Sequence, residues 1–328
     1  MRQVVELLGV KEIYSIFPDK IKRIFMSLNI NEAKLEEIRF RCMRPVTIRY
    51  NAREYFVGEC GGLSDRADNA FVITSQMIGE ILSYASNYSI YAHEEDLRNG
   101  FITIRGGHRI GLAGRIVMEN EKIKTIKNIS YMNIRVSHEV RGCADKILPY
   151  IIKGNDNNIY HTLIISPPGC GKTTLLRDII RQVSDGNETF HGLNVGVVDE
   201  RSEIGASYMG NAQNDIGMRT DVLDCCPKSL GMMMMVRSMS PKVVAVDEIG
   251  SIDDVNALEY ITKCGCRIIA TVHGGGIDDI LQKPVLGKLV RNRVFQRYII
   301  LSNRIKAGFV EGIFDDRGTS LYASGQVS

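Results

Sequence analysis

Apolar and polar positions change rhythm near the middle of this chain. In the second half, short apolar runs end in polar residues and alternate with longer segments of helical spacing. HTLIIS, NVGVVD, KVVAVDE, CRIIATVH and RYIILS are such runs. Short continuous runs separated by amphipathic stretches predict a mostly parallel sheet with crossover helices. AGFVEGIFD follows the last run across a short NRIK connection, which predicts an antiparallel extension.

The first half mixes the two periods. Residues 31–38 (NEAKLEEI) predict a helix, RPVTIRY (44–50) a strand, and residues 74–85 a helix capped by Thr74 or Ser75. GFITIRGGHRIGLAGRIVME (100–119) alternates around Gly106 and Gly107 and predicts a hairpin, with NIRVSHEV (133–140) as the closing strand. A linking helix at about 143–152 and the polar loop KGNDNN (153–158) separate the halves. The expected organisation is a smaller α+β domain over 1–142 followed by an α/β domain over 143–328. MMMM (232–235) is expected to sit in a buried helix.

A length of 328 residues suits two domains. With 44% hydrophobic and 24% charged residues, collagen-like and largely disordered classes are excluded. No run reaches the ~18 apolar residues of a membrane span. Arg2, Glu6, Lys11 and Glu12 interrupt any N-terminal apolar region, so nothing there marks export and a cytoplasmic location is expected. Eight cysteines without a C-x-x-C pair read as reduced thiols. The net charge of +3 conceals two basic stretches. Lys283, Lys288, Arg291, Arg293, Arg297, Arg304 and Lys306 occur with no acid among them, and residues 98–127 hold seven basic residues against Glu119 and Glu121. Each stretch is either a solvated face or a surface for an anionic partner or a neighbouring subunit's nucleotide.

The densest chemical signal is HTLIISPPGCGKTTLLRDIIRQV (161–183). A strand runs into Ser166, Pro167, Pro168, Gly169, Cys170, Gly171, Lys172, Thr173 and Thr174, and an amphipathic helix follows. Glycines at this spacing let backbone N–H groups converge on phosphates, and the helix N-terminus adds its positive dipole end. Lys172 is then placed for β- and γ-phosphates, and the Thr173 hydroxyl for Mg²⁺. Ser166 stands where this pattern has its first glycine. Downstream, the apolar run 243–246 ends in Asp247 and Glu248, carboxylates at the C-terminal end of a parallel strand. Asp247 is read as a Mg²⁺ ligand and Glu248 as the base that polarises water. Asp199 and Glu200 end a rival run; this earlier cluster is assigned an accessory role, with Glu203 near the γ-phosphate, or else a salt-bridged turn. His273 ends another strand before three glycines, where a γ-phosphate sensor belongs.

The order SPPGCGKTTLLRD, VVDERSEI, GMMMMVRSMSPKVVAVDEIG and ATVHGG resembles the secretion-type ATPases of type II and type IV secretion and pilus retraction. Within that group, these runs are most similar to the stage III sporulation AA family of spore-forming bacteria, with EIRFRCMRPVTI and NIRVSHEVRGCAD also alike. Asp247-Glu248 replaces the Gly-Glu common in the wider group, and the tetracysteine metal module of type II motors is absent. The resemblance implies a RecA-like P-loop core, ATP and Mg²⁺ as ligands, and a homo-hexamer. It also implies membrane-bound sporulation channel proteins as partners, at the channel between mother cell and forespore. Membrane association through those partners only, and no nucleic acid, complete the expectation. Arg105, Arg109 and Arg115 of the hairpin, or Arg237 before the acidic strand end, are candidates to complete the site. The alternative reading is a nucleic-acid-stimulated RecA-like ATPase with 283–306 as its track; Phe295 and Tyr298 supply no stacking ladder for it.

Overall fold

The computed structural model describes residues 5–6, 10–89, 94–154, 156–305 and 308–323. Arg2, Lys306 and the side chains of Glu6 and Lys11 lie outside the described residues. The chain divides into two compact units. Val5–Glu139 with Ala206–Gln213 forms the first, and Val140–Gly205 with the chain from Asn214 onward forms the second.

In the first unit, β1 (Leu35–Arg41), β2 (Thr47–Tyr50), β3 (Arg53–Val57), β4 (Leu63–Ser64), β5 (Phe101–Thr103), β6 (Arg109–Glu119) and β7 (Lys122–Arg135) form one antiparallel sheet. Its spatial order is β4-β3-β2-β1-β7-β6-β5. Helices α1 (Asp19–Met26) and α2 (Ser75–Ala85) add Phe25 and Ile78 to a core with Ile38 and Phe40. Thr74 caps α2, its hydroxyl oxygen accepting from the Met77 N–H at 3.3 Å. Segment 206–213 belongs to this unit through Asn87 Nδ2 donating to Tyr208 Oη at 2.8 Å and Gly106 N–H donating to Gln213 Oε1 at 3.0 Å.

Three expectations change here. Residues 31–38 are not a helix: one 3-10 turn (Glu32–Lys34) leads directly into β1. A register shift between Leu35 and Glu37 lets Leu35 and Ile38 both face the core, so a bulge mimics helical i, i+3 spacing. The closing strand begins at Lys122, well before Asn133, because it pairs along the whole of β6 from Glu119–Lys122 to Arg109–Arg135. The linking helix shrinks to Leu148–Ile151. Pro149 has no N–H to continue a helix from residue 143, and its ring is tolerated only in a first turn.

In the second unit, β8 (Thr162–Ser166), β9 (Val195–Asp199), β10 (Thr220–Asp224), β11 (Val243–Val246) and β12 (Arg267–His273) precede β13 (Arg297–Ser302), β14 (Phe309–Asp315) and β15 (Ser320–Ala323). The order is β10-β9-β11-β12-β8-β13-β14-β15, parallel in every pairing except β13–β14 and β14–β15. Helix α3 (Lys172–Asp185) packs on one face through Leu176, Ile179 and Val183. Helices α4 (Lys228–Met239) and α5 (Ile252–Lys263) pack on the other through Met232, Met235 and Leu258. Burial on both faces makes β8, β9 and β11 buried at every position, hence their unbroken apolar runs. Strand β10 has no such run. It is a half-exposed edge strand with Asp221 and Asp224, and its sequence carries little signal. The methionine run is absorbed only in part, since Met234 remains 55% exposed.

Candidate active site

Strand order brings four C-terminal strand ends side by side: β9, β11, β12 and β8. The register places Ser166 of β8 directly beside His273 of β12, and Val246 of β11 beside Ala270. Ser166 is fully buried and ends the strand. Gly169 and Gly171 then take φ of +73° and +79°, where any side chain would be strained. Nothing lies within 4 Å of where a Gly169 Cβ would stand, so the loop borders open space. Pro167 and Pro168 are exposed, whereas Cys170 is buried and its carbonyl accepts from the Gly308 N–H at 3.0 Å. Helix α3 starts at Lys172, and the amides of its first turn have no carbonyl within the helix. Thr174 sits in that turn, half-buried.

Lys172 is buried, and its ammonium donates to Glu248 Oε1 at 2.5 Å. The same oxygen lies 2.9 Å from His273 Nε2, while Glu248 Oε2 accepts from Arg201 Nη1 at 2.7 Å. Glu248 therefore has basic side chains on both oxygens. Burial pushes its carboxyl up, but the Lys172 hydrogen bond and charge, then Arg201 and His273, hold it below the usual carboxylate range. Its backbone sits at φ +55°, the left-handed region that a glutamate rarely adopts. The Glu248 N–H donates to Thr271 Oγ1 at 2.9 Å, which helps to hold that conformation. Beside it, Thr173 Oγ1 donates to Asp247 Oδ2 at 2.6 Å, and Thr271 Oγ1 donates to Oδ1. Gly250 and Ser251 follow, and Ser251 opens α5 with a capping box completed by Asp254.

These donors suit Mg²⁺ bound together with a polyphosphate. Thr173 and Asp247 offer oxygens on one spot, the ligand type that Mg²⁺ prefers. Among the described residues no group of three or more His, Cys, Asp or Glu could hold a metal alone. Phosphate oxygens are what the set lacks, and the glycine cradle adjoins it.

Asp199 behaves differently from Asp247. Its Oδ1 accepts from the Glu203 N–H at 2.8 Å, and Oδ2 accepts from those of Ile204 and Gly205, both at 2.9 Å. Burial nevertheless pushes the Asp199 carboxyl up to about 6, against the pull of those amides. Arg177 of α3 clamps the same turn from outside, donating to the carbonyls of Glu203 and Ile204 at 2.8 and 3.0 Å. Glu203 lines a narrow cleft with Arg201, Asp247 and Glu248. Asp199→Asn should turn an amide donor toward a backbone donor. We expect a loss of about 1–3 kcal/mol in stability, measured by denaturant melts, with a smaller loss of turnover than Glu248→Gln.

Within the second unit, not every candidate joins this group. Arg237 lies in the last turn of α4, with its guanidinium 5.9 Å from the Tyr260 ring centre. Helix α4 leads into the N-terminal end of β11, so Arg237 sits at the sheet edge opposite the phosphate loop. In the 283–306 stretch, three cations have partners within the chain. Lys283 donates to the His273 carbonyl, Arg297 to that of Tyr150 at 2.8 Å, and Arg304 pairs with Glu311 at 3.1 Å. In the first unit Arg105 pairs with Glu12 at 3.2 Å, Arg109 stacks 3.4 Å over Phe101, and Arg115 stands opposite Lys127. Thr271 was missed, and so was the partner of Arg201, a member of the earlier cluster assigned an accessory role. Thr271 precedes His273 by two on one strand and so shares its face, a legible signal. The Arg201–Glu248 pair could be found only through the fold, since the two residues follow different strands.

The chain matches the family model described as sporulation stage III, protein AA, over residues 9–321. It is 40% identical over 313 residues to stage III sporulation protein AA of Bacillus subtilis, covering 95% of this chain and 97% of that protein. Among solved structures it is similar to the pilus retraction motor PilT with bound ADP, at a TM-score of 0.53 and 15% identity over 82% of this chain and 74% of that one. It is also similar to the Legionella pneumophila ATPase DotB, at a TM-score of 0.51 and 14% identity over 82% and 72%. At such identities these two show the fold alone: the RecA-like P-loop core of secretion ATPases.

Proposed function

Because the chain belongs to the sporulation stage III protein AA family, we propose that it hydrolyses ATP with Mg²⁺ to drive a membrane-associated, secretion-like channel in sporulation. The observation that carries this reading is the convergence of Lys172, His273 and Arg201 on Glu248, beside the Thr173–Asp247 pair, at the mouth of the phosphate loop. Lys172 exchanges Glu248 for the β- and γ-phosphates. Thr173 and Asp247 would hold Mg²⁺, which neutralises charge on the phosphate oxygens. Glu248 then orients a water and takes its proton as the water oxygen bonds to the γ-phosphorus and the bond to the bridging oxygen breaks, releasing ADP and phosphate. His273 lies within hydrogen-bond reach of both Lys172 and Glu248 and senses the γ-phosphate through them.

No described helix is long and apolar enough to cross a membrane, and channel proteins are proposed to bring the chain to its membrane. A homo-hexamer is the proposed working form. Phosphate release by the purified full chain, with and without Mg²⁺ and read beside light scattering, tests the reading. Release that needs Mg²⁺ and rises per chain as rings form supports it. An absence of release at every concentration overturns it, and a several-fold rise with single-stranded DNA points instead to a nucleic-acid motor.

A further inference from the structure

We propose that Arg201 is the site's own charge-stabilising arginine, held on Glu248 until ATP arrives and then passed to the γ-phosphate. The inference rests on the ATPase reading above and deepens it. Its backbone is fixed: the turn that follows is tied to Asp199 by three amide hydrogen bonds and to α3 by Arg177. The Arg201 side chain is 60% exposed and, among the described residues, has one ion pair, to Glu248. A tied turn beneath an exposed guanidinium lets the charge move without rebuilding the loop.

The position is as telling as the exposure. A single carboxylate separates the Arg201 guanidinium from the Lys172 ammonium, the cation assigned to the β- and γ-phosphates. Each Glu248 oxygen already accepts from a cation, which leaves less of the carboxylate open to an incoming water. Lys172 releases Oε1 when it turns to phosphate, and Oε2 is released only when Arg201 also leaves. An incoming γ-phosphate attracts that guanidinium more strongly than one carboxylate does, and a planar fork of N–H donors suits its equatorial oxygens. The same movement thus frees the base and brings a cation to the oxygens that carry charge as the β–γ bridge breaks. Arg105, Arg109, Arg115 and Arg237 are not needed for this step.

Full-length Arg201→Ala, Arg201→Gln and Arg201→Lys should be compared with the parent at matched concentration. The readouts are ATP turnover, ATP binding and trapping of MgADP with aluminium fluoride. We expect the Ala and Gln variants to bind ATP within about threefold of the parent, to lose about 10²-fold in kcat and to lose the trapped complex. Lys should recover part of the rate, and added guanidinium ion should raise the Ala variant. Such a pattern is not produced by a merely structural ion pair. A parent that hydrolyses ATP beside an Ala variant of equal or greater kcat overturns the inference and leaves the ATPase reading standing. A parent that neither binds nor hydrolyses ATP overturns both.

Discussion

Glu248→Gln should hold ATP and fail to turn it over, with kcat down about 10³-fold. The amide keeps the shape of the carboxylate and can still touch Lys172, but it cannot take a proton from water. Glu248 is also a competitor, because its Oε1 lies 2.5 Å from the Lys172 ammonium. ATP must break that pair before its phosphates can use Lys172, so part of the intrinsic affinity is spent on release. Neutralising Glu248 removes the competition, and the ATP dissociation constant should fall several-fold while hydrolysis stops. A fluorescent ATP analogue for binding and phosphate release for chemistry give the two numbers. Unchanged turnover would remove Glu248 from the role of base. If Asp199→Asn then proved the more damaging change, the catalytic role would pass to the earlier strand.

Lys172→Ala should lose both binding and chemistry, with kcat/KM down about 10³-fold. Lys172 is 6% exposed and opens the helix that follows the glycine loop, with its ammonium on Glu248. The variant should also lose the thermal stabilisation that ATP confers on the parent, which follows from binding to the folded state alone. Without ligand the fold should persist, because Arg201 still pairs with Glu248 and His273 remains within hydrogen-bond reach of it. A variant that hydrolyses ATP at the parent rate would show that the phosphate loop is elsewhere.

Much of this site was legible because its parts are local. A phosphate loop is one continuous segment, and 166–174 carries its glycines, its lysine and its hydroxyl in order. Asp247, Glu248 and His273 were legible because they end apolar runs, and parallel strands present their C-terminal ends on one edge. Strand identity in the second unit was clear for the same reason: sheets buried on both faces write unbroken apolar runs. Where burial is one-sided or the pleat is broken, the pattern misled. The bulge in β1 copied helical spacing, and the edge strand β10 wrote almost nothing.

What only the tertiary structure decided is which side chains share a charge. The two acidic strand ends look alike as text, Val-Val-Asp-Glu and Ala-Val-Asp-Glu. Strand order separates them: β11 lies next to β12 and one strand from the phosphate loop, whereas β9 lies farther out. Asp247 therefore meets Thr173, and Asp199 spends its oxygens on the amides of its own turn. Arg201 and Arg237 are equally unreadable as letters, and the fold sends one to Glu248 and the other to Tyr260 at the far edge of the sheet. Sequence determines local conformation and burial period because those depend on neighbours within a few residues. Electrostatic partnership falls off over a few ångströms in space, and distance along the chain says nothing about it until the strands are ordered.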